Sequence, residues 1–340
     1  MRADAVSRPR IRVIALGGTI ASTRDGGRDS RAQPRLGGDE LVGAVPGLDH
    51  IADIDIDSLV PTPGCSLTWS EIFDVAERIS RAESDGYDGV VITQGTDTIE
   101  ETAFAWELLA SPSITVVVTG AMRHADLPGA DGPANLLDAV RVASSSAARG
   151  HGVLVVLAGQ VHRARTVRKR HTSSPAAFGS ADGTVGEIVE GHIRLGLPDR
   201  PRVHLERASD ATRIPVVPLV RSCLGDDGWW LPAVAAAPGA VIEGMGGGHL
   251  PVADARGVRE VAVRVPIVLT SRTGAGAVLQ STYGGFAGSE TDLLEAGLIP
   301  AGDLDSLKAR VALTLALASG HDSERIREMF NVLGGATPLP

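Results

Sequence analysis

The stretch DGVVITQGTDTIEETA, residues 88–103, passes from a block of β-branched residues through a short polar turn into the opening of a helix. The block DGVVIT (88–93) is apolar at successive positions, as a strand covered on both faces must be. Three further runs share this character: IRVIAL (11–16), ITVVVT (114–119) and VLVVLA (153–158). Between them lie segments with helix-start signals. Thr68 and Glu71 form a capping box ahead of WSEIFDVAERISRAES, and Pro133 suits the first turn of ANLLDAVRVASSSAA. Strands alternating with helices specify an α/β fold with a mainly parallel sheet flanked by helices.

From residue 194 to 215 the pattern dissolves into Pro, Arg and Asp, and a second α/β pattern follows. There VVPLV (216–220), AVIEG (240–244) and PIVLTS (266–271) read as strands, with helix-like DARGVREVA between the last two. The expected organisation is a larger N-terminal domain over 1–205, a linker at 206–215 and a smaller C-terminal α/β domain over 216–340. No solenoid repeat or long low-complexity tract interrupts it.

The 340 residues are 43% hydrophobic but only 3% aromatic, so the cores must be built from Val, Leu, Ile and Ala. A formal net charge of -9 argues against a nucleic-acid partner, which would require surplus Lys and Arg. Cys65 and Cys223 stand apart with no CxxC, so neither a disulfide framework nor a metal site is expected, and both read as buried free thiols. The apolar run Val13–Leu16 is too short for a signal-peptide core or a membrane span. A cytoplasmic location without membrane attachment is the corresponding expectation.

In an open parallel sheet, ligands bind beyond the carboxyl ends of the strands, so LGGTIAST, QGTDTIEETA and GAMRHADLPGADGP are the places to look. Gly17 and Gly18 let the chain turn sharply and present Thr19, either for chemistry or merely to close a turn. Thr96 and Asp97 sit where free N–H groups and a helix dipole favour an anion. Asp97 is then either the helix cap or the partner of a substrate ammonium, while Glu100 and Glu101 read as ordinary first-turn acids. A hydroxyl nucleophile needs a base, and Lys169 is the candidate, with Asp97 beside it to orient a proton relay. The alternative is that Lys169 belongs to a solvated basic stretch, RARTVRKRH.

Together ALGGTIAS and GVVITQGTDTIEETA resemble the two signature motifs of bacterial-type L-asparaginases. The likeness continues through VVVTGAMRHADLPGADGPANLLDAV to the region of Lys169, and more loosely through EGMGGGHL and LKARVAL. The resemblance implies hydrolysis of L-asparagine to L-aspartate and ammonia, without a cofactor or metal. It implies a homo-oligomer, a tetramer built as a dimer of dimers, with each site completed by the neighbouring C-terminal domain. On the same basis Thr19 is the nucleophile that forms an acyl-enzyme, and Thr96, Asp97 and Lys169 form a second triad. Thr96 and Asp97 would also hold the substrate, and the backbone of Ala121 would lie against its amide.

The chain departs from that pattern in places. No tyrosine occurs in RDGGRDSRAQPRLGGDE, where relatives carry one to support the nucleophile, and Arg31 and Ala32 are the nearest positions. The substrate-binding serine of relatives falls on Gly64, with Cys65 and Ser66 adjacent. The asparagine lent to a neighbouring site falls at or near His249, and the acidic residue that meets the substrate ammonium has no clear counterpart, with Tyr283 or Glu290 as the candidate substitutes. Alternatives are a glutaminase or another small-amide hydrolase, an amino-acid-binding protein without turnover, and a nucleotide enzyme using GGT (17–19) and GMGGGH (244–249). The last lacks a GxxxxGK[ST] loop and an acid placed as the dinucleotide fingerprint requires.

Overall fold

The β-branched runs pair side by side. A computed structural model describes residues 8–24, 31–110, 112–197, 203–207 and 213–335. The chain divides into two compact units, Met1–Asp199 and Arg200–Pro340. Of the expected linker at 206–215, residues 208–212 lie outside the described residues, as do residues 25–30 of the segment expected to lack its tyrosine.

The first unit opens with β1 (Arg10–Ala15), a short ribbon of β2 (Ser22–Thr23) and β3 (Gln33–Pro34), helices α1 (Gly38–Gly43) and α2 (Leu48–Ile51), and β4 (Asp53–Ser58). Next come α3 (Trp69–Ser84), β5 (Gly89–Thr93), α4 (Ile99–Ala110), β6 (Thr115–Thr119), α5 (Gly132–Ala143) and β7 (Val153–Leu157). Five short strands complete it: β8 (Gln160–Arg163), β9 (Val167–Lys169), β10 (Phe178–Ser180), β11 (Gly186–Val189) and β12 (His192–Leu195).

Its main sheet has the order β12-β11-β8-β7-β6-β5-β1-β4. Strands β4, β1, β5, β6 and β7 run parallel, whereas β8, β11 and β12 are added antiparallel. Every residue of β5, β6 and β7 is buried, because helices cover both faces. On one face Leu136, Ala139 and Val140 of α5 join a core with Val91, Val117, Leu154 and Val156. Alternate residues Val90, Ile92, Val116 and Val118, all fully buried, point the other way, toward the layer of α3 and α4. The capping box forms, with Thr68 Oγ1 accepting from the Glu71 amide and Glu71 Oε2 accepting from the Thr68 amide.

The second unit contains β13 (Leu219–Arg221), α6 (Leu231–Ala236), β14 (Ala240–Gly244), α7 (Val252–Ala262), β15 (Ile267–Ser271), α8 (Glu290–Glu295), β16 (Ile299–Pro300), α9 (Ser306–Ala318) and α10 (Ser323–Leu333). Its four strands form a separate parallel sheet in chain order. The strand expected at 216–220 begins only at Leu219, because Pro218 has no N–H to enter a ladder and Val216 is exposed. The two cysteines are free but exposed, not buried: Cys65 lies in a surface turn and Cys223 in the loop after β13.

Candidate active site

The carboxyl ends of β1, β5 and β6 are stitched together by backbone bonds. Leu16 N donates to Thr93 O (2.8 Å) and Gln94 N to Thr119 O (3.1 Å). Thr62 N donates to Leu16 O (3.0 Å), drawing the segment before α3 alongside. Three glycines then let backbone touch backbone. A Cβ on Gly18 would lie 2.2 Å from Gly95 N, and one on Gly95 would lie 2.7 Å from Gly64 N. Thr19, Thr96 and Cys65 each follow one of these glycines, so the close approach gathers all three loops into one patch. Buried Gln94 locks it, donating to Gly95 O (3.1 Å) and accepting from Thr102 Oγ1 (2.8 Å). Thr98 Oγ1 donates to Gly64 O (2.9 Å).

Lys169 is the last residue of β9, opposite Phe178 of β10. Its Nζ donates to Thr96 Oγ1 at 2.9 Å and to Asp97 Oδ1 at 2.8 Å. The lysine side chain retains 17% exposure and the aspartate 60%, so the pair stands at the surface with Thr96 buried behind it. Thr98, not Asp97, precedes the first turn of α4, and the Thr98 carbonyl accepts from Glu101 N and Thr102 N. The Asp97 carboxylate therefore faces Lys169 instead of capping the helix. Glu100 is no ordinary solvated first-turn acid: it is buried, accepts from Lys169 N (3.4 Å) and lies 4.0 Å from Arg168 Nε. Asp97, Glu100, Lys169, Arg170, His171 and Thr172 line an open recess of about 430 Å³.

Thr19 opens a single 3-10 turn, Thr19–Ala21, and is partly exposed. Among the described residues no hydrogen-bond partner reaches its hydroxyl. Gly64, Cys65 and Ser66 form another such turn, with Gly64 buried and the other two exposed. Ala121 is fully buried next to Gly120, where a Cβ would lie 3.1 Å from Thr96 Cγ2. Two residues that sequence reading missed hold this turn. Asp131 accepts from Met122 N (3.0 Å), Arg123 N (2.8 Å) and Asn135 Nδ2 (3.2 Å). Asn135 in turn donates to Gly120 O (3.0 Å) and accepts from Ala158 N (2.9 Å). Asp131 precedes a Gly-Pro helix start and so reads as a simple cap; only its distance from the 121–123 amides reveals the other use.

His249 belongs to the second unit. Its Nε2 lies 2.9 Å from Glu290 Oε2, and its ring meets Tyr283 and Phe286 edge-on. Burial pushes the Glu290 carboxyl up, but the backbone amides of Tyr283 and Glu290 and the His249 ring outweigh it and hold it below the usual range. GMGGGH is a tight reversal closed by a Met245–His249 bridge, and Gly18 abuts Gly95 where a nucleotide loop would leave space for phosphate. Among the described residues, no group of three or more His, Cys, Asp or Glu side chains is set to hold a metal ion. No helix among them is long and apolar enough to cross a membrane.

The hairpin bearing Lys169 is fixed to the main sheet by His162 of β8, whose Nδ1 lies 3.0 Å from Ser180 Oγ of β10. Burial, reinforced by Arg170 and opposed by Asp182, lowers the His162 pKa to about 4 from 6.5. The unfolded chain therefore binds a proton between these values that the folded chain refuses. This contribution is fully present above pH 6.5 and is lost as the pH falls toward 4, a change on the order of 3 kcal/mol. Urea denaturation of the first unit at pH 7 and pH 4.5 should show that loss, and a His162→Gln variant should show much less of it. Equal acid sensitivity in both proteins would remove His162 from the account.

Comparison with known proteins adds three findings. The family described as Asparaginase, N-terminal, matches residues 10–199, and the Glutaminase/Asparaginase C-terminal domain matches residues 216–330. A probable L-asparaginase of Deinococcus radiodurans is 36% identical over 95% of this chain and 98% of its own, and L-asparaginase 2 of Bacillus subtilis is 32% identical over 95% and 86%. The crystal structure of a probable cytoplasmic L-asparaginase from Campylobacter jejuni superposes with a TM-score of 0.83 at 31% identity, covering 95% of this chain and 99% of that one.

Proposed function

The chain belongs to the asparaginase family in both of its units, and from that membership and the site geometry we propose that it hydrolyses the side-chain amide of L-asparagine to L-aspartate and ammonia. The observation that carries the reading is Lys169 Nζ bonded to both Thr96 Oγ1 and Asp97 Oδ1 beside the glycine contact that brings up Thr19. A solvated basic stretch would have no use for that arrangement.

In this mechanism the Thr19 hydroxyl adds to the amide carbon, and the carbonyl oxygen becomes an oxyanion. The amide nitrogen takes the proton that the Thr19 hydroxyl gives up and leaves as ammonia when the oxyanion collapses, so a β-aspartyl ester remains on Thr19. Water then attacks the ester, surrendering its proton through Thr96 to the neutral amine of Lys169, which Asp97 keeps in place, and the acyl bond to Thr19 breaks as its oxygen takes a proton back and aspartate leaves. Asp97 also receives the substrate ammonium, the Gly64–Ser66 turn and Thr96 meet its carboxylate, and the Ala121 backbone meets its amide. The Asp97 carboxylate is the more exposed partner of its pair, which leaves an oxygen for that second task.

Oligomerisation belongs to the same reading: a tetramer, as a dimer of dimers, in which His249 faces the site of a neighbouring copy. Tyr283 and Phe286 beside it are about half exposed, at 49% and 45%, which supports a covered surface there. The location proposed is cytoplasmic.

Ammonia release from L-asparagine and from L-glutamine by the purified protein tests the assignment. Turnover of asparagine should exceed that of glutamine, and Thr19→Ala or Thr96→Ala should each lower it by roughly 10³-fold or more. A folded protein that binds aspartate but releases no ammonia from either amide would be an amino-acid binder, and the hydrolase reading would fail.

A further inference from the structure

We propose that Asp126 is a positioning residue for Thr19, acting as the outer tether of the 121–131 loop, whose inner tether is Asp131. The inference rests on the reading of Thr19 as the hydroxyl that accepts the acyl group.

Thr19 leads directly into the β2–β3 ribbon, in which Ser22 faces Pro34 and Thr23 faces Gln33. A two-residue ribbon is too short to hold itself in place. Its own turn is closed on Gly18 O by Ser22 Oγ (2.8 Å) and Ala21 N (3.1 Å), and Ala21 O accepts from Arg35 N (2.8 Å) and Leu36 N (3.0 Å) just past β3. Among the described residues, two bonds reach it from outside, and both come from the 121–131 loop: Ala125 N donates to Ser22 O (3.2 Å), and Asp126 Oδ2 accepts from Arg24 N (2.6 Å).

That loop is itself stiff. Asp131 holds the amides of Met122 and Arg123, the Arg123 guanidinium donates to Gly129 O (3.1 Å), and Leu127 N and Ala130 N close successive turns on His124 O and Leu127 O. The His124 ring, only 8% exposed, stands behind Asp126 with Nδ1 3.9 Å from Oδ2. One loop therefore connects the turn that backs Thr96 with the ribbon that carries Thr19.

Packing does not do this work alone. An apolar cavity of about 50 Å³ lies behind Ile20, lined by Leu36, Leu41, Ala125, Gly132 and Leu136 among others. The residue following Thr19 thus borders empty space on one side, and the polar tethers set how far the ribbon can shift. A reacting atom misplaced by about 1 Å can cost about 10²-fold in rate.

The test compares Asp126→Ala and Asp126→Asn with the unaltered protein in kcat for L-asparagine, affinity for L-aspartate, and backbone amide exchange at Arg24. Expected for Asp126→Ala is a kcat lowered about 10- to 100-fold, aspartate affinity within about threefold of the starting value, and faster exchange at Arg24. Asparagine keeps an acceptor oxygen, so Asp126→Asn should regain most of the rate and of the protection. An unchanged kcat in Asp126→Ala, or a loss shared equally with aspartate affinity and not rescued by Asn, would overturn the proposal. A protein with no amide turnover at all would sink the hydrolase reading instead; exchange at Arg24 then judges the tether, and no acceleration in Asp126→Ala overturns it.

Discussion

Alanine at Gly18 is expected to abolish amide hydrolysis, with kcat/KM down by roughly 10³-fold or more, and to destabilise the first unit by about 3 kcal/mol. Two independent constraints meet at this position. Its φ of 84° and ψ of -167° fall in a region essentially reserved for glycine. A methyl group there would also stand 2.2 Å from the amide nitrogen of Gly95 and 2.4 Å from its Cα. Neither obstacle is a flexible side chain that can swing away. The β1 and β5 ends would have to part, and Thr19 would move away from Thr96. Gly43 is the control, since it ends a helix, its added methyl meets nothing within 4 Å, and Gly43→Ala should leave both rate and melting temperature nearly unchanged. Steady-state ammonia release and thermal melts on the two variants decide the matter. A Gly18→Ala protein that retains wild-type turnover would disprove the close-contact account of the site.

Removing the amine of Lys169 is expected to have an effect of comparable size. Lys169→Met keeps the length of the side chain but takes away the donor to Thr96 and Asp97, so kcat should fall by about 10²- to 10⁴-fold, the range that proton transfer by a positioned side chain contributes. Lys169→Arg should rescue little. A guanidinium does not give up its proton and is too broad to replace a point donor between a hydroxyl and a carboxylate. Aspartate binding should weaken far less than kcat, because Gln94 on Gly95 O and Thr98 on Gly64 O still hold the backbone of the Thr96 loop against the Gly64 turn. Turnover within threefold of normal in Lys169→Met would exclude the lysine from the proton relay.

The two units and the strands that carry the site were legible because runs of Val, Ile and Leu fill the middle of β5, β6 and β7, a pattern that loops do not imitate. Thr19, Thr96 and Asp97 stood out as candidates because they sit where the apolar runs of β1 and β5 stop. Lys169 was harder, lying in a string of arginines whose charge alone suggests solvent; its environment is set by β10 and Glu100, distant in sequence. Strand β4 escaped notice because DIDIDS alternates carboxylates with isoleucines, as an edge strand with one wet face does. Asp126 and Asp131 were invisible as well, since each looks like a turn residue until the amides it accepts from are located. The cysteines were misjudged for the opposite reason: a thiol's usual preference for burial yields to the loop that holds it.

The position of β1 matters for how the protein is made. It is the first strand among the described residues, yet it lies between β4 and β5 and cannot be enclosed until residues up to Thr93 have left the ribosome. The lysine that completes the pair with Asp97 follows on β9, many residues later. Until then a nascent chain holds a threonine and a carboxylate with no amine to join them. On the proposed mechanism, fragments from stalled translation or early proteolysis that end before Lys169 lack the amine of the relay and should release ammonia far more slowly than the whole chain.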